Sequence, residues 1–120
     1  MIQEDKDLLL KDLCARLSHG IKVNVIRSNV IEVVTYINPL NEEIWINDAG
    51  AYIDIEEVKP YLRPISSMTE EEEIYYNTVY TRLKFYEKED WLNAHHFDYR
   101  GLIEKGLAIK VTEDNNPYKE

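Results

Sequence analysis

The sequence predicts a single α+β domain: an N-terminal helix, a small antiparallel SH3-like β-barrel or meander, and a helical C-terminal half. Three observations predict it. Apolar residues recur at helical spacing over residues 5–18, then alternate with a period of two from Ile21 to Ile55. A seam holding Pro60 and Pro64 follows, and beyond it Thr69 begins a helix-start signal.

In the first helix, Leu10, Leu13, Cys14 and Leu17 follow the i, i+3, i+4, i+7 rule, with Leu9 beside them. Asp5 and Asp7 suit the positive helix N-terminus, Arg16 and His19 lie near the other end, and Gly20 stops it. Cys14 is the only cysteine, which permits no internal disulfide and fits a reducing compartment. Its place on the stripe makes it a small buried hydrophobe; a reactive thiol would need an electropositive, exposed setting.

From Ile21 the strands begin. Ile21, Val23 and Val25 form one face, Ser28-Asn29 a turn, and Ile31, Val33, Thr35 and Ile37 the next face. Val30, Val34 and Tyr36 make the opposite face of that strand apolar too, as in a strand covered on both sides. Asn38 to Asn41 is turn chemistry, Ile44 to Ile46 a short strand, Asp48-Ala49-Gly50 a turn, and Tyr52 to Ile55 another strand. Val58–Pro64 would close the barrel over residues 21–64, its prolines keeping it out of the middle of a sheet.

Thr69 and Glu72 have capping-box spacing, and Tyr76, Val79, Tyr80, Leu83 and Tyr86 continue as the buried stripe. Glu87 to Asp90 reads as a charged hinge, with Asp90 capping a helix through Trp91 to Ala94. Asp98 would cap another, ended by Gly106. Leu107 to Val111 is strand-like and fit to dock on the sheet edge. Residues 112–120 read as a mobile polar tail, so that one domain spans residues 1–120.

Composition narrows the function classes. A chain of 120 residues, 44% apolar and 31% charged, is that of a globular domain. Its net charge of −9 is shared between both halves, so no basic arm exists and direct nucleic-acid binding is disfavoured. No apolar run is long enough to span a membrane, and the acidic start does not resemble a signal peptide, so a cytoplasmic protein is expected.

His95-His96-Phe97-Asp98-Tyr99-Arg100 is the segment with chemical appeal. Adjacent helical histidines diverge by about 100°, however, and no second cysteine or HExxH is present, so no metal or cofactor is expected. The expected arrangement is one histidine beside Trp91, the other in solvent, Asp98 capping and Arg100 paired to an acid. Ser18-His19 beside Gly20 is no triad, and the four glycines make no phosphate loop. Nine tyrosines, two tryptophans and two phenylalanines point to contact surfaces instead. Tyr75 and Tyr76 are adjacent and cannot share one face.

Ile55 to Thr69 and Trp91 to Ala108, with Leu8 to Leu17, resemble uncharacterised small proteins of gut anaerobic bacteria and their prophages. That family has no assigned activity, so the resemblance implies a phage or mobile-element source and supplies no catalytic residue.

The function expected is a non-enzymatic protein-binding accessory module, contacting a protein partner or a second copy through Tyr75, Trp91, His95, His96, Asp98 and Arg100. One alternative is an acidic nucleic-acid mimic, with Glu70 to Glu73 aligned with Glu87 and Glu89. Another is a small acid–base or metal-dependent enzyme centred on His95, His96 and Asp98.

Overall fold

The first helix buries the leucines its apolar spacing marks, but not Cys14, and adds two polar residues to its inward face. In the computed structural model, which describes residues 1–46, 51–78 and 85–119, α1 spans Gln3–Arg16. A 3-10 turn, Leu17–His19, continues it to Gly20, whose φ of 71° ends it in the left-handed region. Leu9, Leu10, Asp12, Leu13 and Arg16 are buried, whereas Cys14 is exposed. The inward face is thus Leu9, Leu10, Asp12, Leu13 and Arg16, with Leu17 packed partly against the core, so that Asp12 and Arg16 take the place expected for Cys14. Its two polar members pair with each other, Arg16 Nε donating to Asp12 Oδ2 at 2.9 Å, which is why a reading of apolar spacing misplaces Cys14.

Four strands follow as an antiparallel meander, β1 Lys22–Val25, β2 Val30–Asn38, β3 Glu43–Ile46 and β4 Ala51–Asp54, and β5 Val58–Pro64 then returns to pair antiparallel with β1. Two short strands, β6 Phe97–Asp98 and β7 Ile109–Lys110, pair in parallel with β5. The order is β4-β3-β2-β1-β5-β6, with β7 also on β5, making a seven-stranded mixed sheet that does not close into a barrel. The core lies on one side of it, where Leu9, Leu10 and Leu13 of α1 meet Val23, Val34, Ile44, Val58 and Leu62.

Two details of the sheet depart from the sequence pattern. The register of β2 on β3 shifts between Val34 and Tyr36, a bulge that inserts Thr35. Val34 and Ile37 therefore both face the core, while Ile31, Val33 and Tyr36 are exposed. The second detail is β5, which lies inside the sheet despite its prolines. Ile26 N–H donates to the Glu57 carbonyl at 2.8 Å. In that register Ile26–Glu57 and Asn24–Lys59 are bonded pairs, while Val25–Val58 and Val23–Pro60 are the non-bonded pairs that alternate with them. Pro60 lacks an N–H where β1 accepts none.

Beyond the seam, α2 spans Glu70–Thr78 and opens on the expected capping box. Thr69 N–H donates to Glu72 Oε1 at 2.9 Å, and Glu72 N–H to Thr69 Oγ1 at 3.2 Å. Asp48-Ala49-Gly50, Val79, Tyr80, Leu83 and the Tyr86 side chain lie outside the described residues. Helix α3 spans Phe85–Ala94, so Glu87 to Asp90 is helix rather than hinge. Glutamate and lysine are good helix formers, and clustered charge does not break a helix.

The segment from residue 112 also departs from expectation. Tyr118 packs against the core, and its hydroxyl accepts from Lys22 N–H at 3.1 Å and donates to the Tyr61 carbonyl at 2.8 Å. Lys22–Tyr61 would be the next bonded pair of β1 and β5; the phenol stands between the strands and makes those bonds with each. Lys22 Nζ donates to the Pro117 carbonyl at 2.8 Å. The segment is tied to the sheet, because one aromatic with a polar tip supplies both apolar area and hydrogen bonds.

Candidate functional site

The turn after α3 sends its two histidines apart. His96 N–H bonds the Asn93 carbonyl, and His96 takes a φ of 63°, which reverses the chain into β6. His95 stays on the helix side, its ring 4.5 Å from Trp91 and its Nδ1 3.6 Å from Glu72 Oε2. His96 turns inward and stacks on Tyr118 with centroids 3.6 Å apart. It is not the solvent histidine expected. Burial, then the positive charge of Arg16, push its pKa down to about 4, so it is neutral near pH 7.

Asp98 and Arg100 have structural partners. The Asp98 carboxylate accepts from Leu102 N–H at 3.0 Å and Ile103 N–H at 2.9 Å, holding the turn that precedes Gly106. Arg100 Nη1 donates to Asp12 Oδ1 at 2.7 Å, so Asp12 bridges two arginines. Arg16 Nη2 reaches the Phe97 carbonyl at 2.6 Å. The six expected residues thus split: Tyr75, Trp91 and His95 share one cluster, while His96, Asp98 and Arg100 serve the interior.

That cluster joins α2, α3 and β5. Tyr75 stacks on Trp91 at 5.2 Å, and Trp91 in turn lies 5.8 Å from Phe97. The Arg63 guanidinium lies 4.2 Å from the Phe97 ring centroid and grips Glu72 with both terminal nitrogens, at 2.9 and 2.6 Å. Hydrogen bonding from Arg63 draws the Glu72 carboxyl down to about 2, against the opposing effect of burial. Glu72 is therefore turned toward β5 and leaves the acidic run, while Glu70, Glu71 and Glu73 stay exposed and Glu87 and Glu89 are half-buried. Glu72 is thereby withdrawn from the stripe these acids were expected to form. Among the described residues, no group of three or more His, Cys, Asp or Glu is placed to hold a metal ion, and no helix is long and apolar enough to cross a membrane.

The more exposed surface lies elsewhere, on the side of the sheet facing away from α1. Cross-strand partners share a face, so the register places Tyr36, Trp45 and Tyr52 in one row across β2, β3 and β4. Their rings are 6.4 and 5.2 Å apart. Tyr36 is 57% and Tyr52 55% exposed, and Ile31 and Val33 continue the patch along β2 at 48% and 36%. Sequence reasoning missed this surface. Its signal was the apolar residue at nearly every position from Val30 to Ile37, read as a strand covered on both sides. No family model, curated protein or solved structure matches the chain.

Proposed function

We propose that this chain is a non-enzymatic protein-binding module whose contact surface is the outer face of β2, β3 and β4. The observation that carries the reading is the aromatic row Tyr36, Trp45 and Tyr52 with Ile31 and Val33 beside it. A contiguous apolar patch of this kind on a domain surface favours an interaction site, and tyrosine suits one because it offers large area with few rotors. Separation of the two imidazoles and the commitment of Asp98 to backbone N–H groups weigh against acid–base chemistry. The inward turn of Glu72 weighs against a nucleic-acid mimic.

An SH3-like strand path belongs to this reading. It is supported by the β1 to β4 meander, by the return of β5 to pair with β1, and by the 3-10 turn Ile55–Glu57 between β4 and β5. Action in the cytoplasm, and a phage or mobile-element source drawn from the two resembling blocks, belong to it as well.

Affinity capture with tagged wild type, the double variant Tyr36→Ser/Tyr52→Ser and Tyr75→Ser tests the reading. Retention of one protein by wild type and by Tyr75→Ser, with loss in the double variant, is expected. Loss with Tyr75→Ser alone would move the surface to α2. Binding to nothing, its own copies included, would refute the reading.

A further inference from the structure

Resting on the outer face as the binding surface, we infer that its occupant is a second copy of this chain, docked face to face about a two-fold axis. The register sets out the charges of that face in order. At one end, Asn38, Glu43 and Asp54 form a row across β2, β3 and β4. Next comes the row Tyr36, Trp45 and Tyr52. Val33 and Ile31 follow on β2, beside Lys22 and Asn24 of β1, and Asn24 is paired in turn with Lys59 of β5. The face is thus acidic at one end, apolar in the middle and basic at the other, where Lys22 and Lys59 flank the buried Asn24 and Glu57 is already paired with Arg27.

Such an arrangement is complementary to itself. A two-fold axis lying in the interface, across the line from the acidic to the basic end, superposes the apolar centre on its own copy. It also sets Glu43 and Asp54 of each chain against Lys22 and Lys59 of the other, twice over. Lys22 keeps its bond to the Pro117 carbonyl and still has protons to donate.

A second observation points the same way. Glu43 and Asp54 are direct cross-strand partners. Within the chain one oxygen of each is engaged, Asp54 Oδ1 by Glu56 N–H and Glu43 Oε1 by Asn38 Nδ2, and the two remaining oxygens lie side by side for lysines brought by another copy. In size, the exposed parts of Tyr36, Tyr52, Ile31 and Val33 come to about 300–400 Å². That is nearly half of the ~800 Å² per partner a stable interface buries, and the charged rows extend the footprint.

Sedimentation equilibrium on the full chain tests the proposal, with circular dichroism confirming that each variant is folded. Wild type is expected to dimerise reversibly. Glu43→Lys and Lys59→Glu should each weaken self-association by about tenfold or more, since each turns two attractive contacts repulsive. An equimolar mixture of the two should recover a mixed dimer. The lysine introduced in one chain then meets the glutamate introduced in the other, while the unchanged Lys59 of the first meets the unchanged Glu43 of the second. Tyr36→Ser/Tyr52→Ser should be monomeric.

A wild type monomeric at every concentration would overturn the proposal, as would a dimer indifferent to all these substitutions or two charge variants that fail to pair. A monomer that still captures another protein through Tyr36 and Tyr52 would overturn the second copy as occupant while leaving the binding surface in place.

Discussion

The phenol ring of Tyr118 lies parallel to the imidazole of His96, with the planes 8° apart. The contact joins the segment after β7 to the turn after α3, and through the Tyr118 hydroxyl it reaches β1 and β5 as well. One side chain therefore ties together three separate parts of the chain. Burial raises the pKa of the Tyr118 phenol, which keeps the proton it donates to Tyr61.

Tyr118→Phe keeps the stack and removes the hydroxyl, leaving Lys22 N–H and the Tyr61 carbonyl without it. A loss of about 1–3 kcal/mol is expected for buried polar groups so stranded. Urea denaturation of the variant against wild type measures it, and an unchanged midpoint would contradict the role given to the hydroxyl.

Acid should destabilise the fold in two successive steps. His96 in the folded chain protonates near 4 rather than 6.5, so the unfolded chain binds more protons between those values and stability falls as pH drops through that window. Glu72 is held near 2 rather than 4.5, so its contribution is present above 4.5 and is lost between 4.5 and 2. Melting temperature against pH should flatten in the upper window for His96→Asn, a residue that tolerates positive φ, and in the lower one for Glu72→Gln.

Asp12 and Arg16 are both fully buried. Asp12→Ala leaves two arginines without their shared carboxylate and should cost about 3–5 kcal/mol. Replacing both partners by apolar residues, Asp12→Leu with Arg16→Met, should cost less than the sum of the single changes. A double-mutant cycle by chemical denaturation reads the coupling directly.

Cys14 should react with a thiol reagent in the native chain without prior unfolding, because it is exposed. Partial burial raises its pKa, so the reaction should be slow at neutral pH and quicken as pH rises. Labelling only after denaturant is added would place the thiol inside.

What could be read from the sequence was whatever local chemistry governs. The Thr69–Glu72 box and the turn at Ser28-Asn29 each depend on neighbours a few residues away, and both are in the structure; Asp98 does accept from nearby N–H groups, but over a run of turns rather than the helix it was expected to cap. Side chains whose environment is set from afar were misread. Asp12 and Arg16 look like surface residues until Phe97 and Arg100 arrive beside them. Pro60 argues against a central strand unless the bonding phase of β1 is known. Thr35 gives no local sign that it is an inserted residue, and that insertion decides whether Tyr36 faces the core or solvent. The role of His96 was legible only together with Tyr118, whose place depends on the whole sheet.

The bond from Lys22 to Tyr118 spans 96 residues. Closing so long a loop is entropically costly, and contacts of that reach form late in folding. Tyr118 is therefore expected to engage after the rate-limiting barrier, more as a latch than as part of the nucleus. Its removal should leave the refolding rate almost unchanged and speed unfolding, so that the latch governs how long the native state lasts rather than how quickly it is reached.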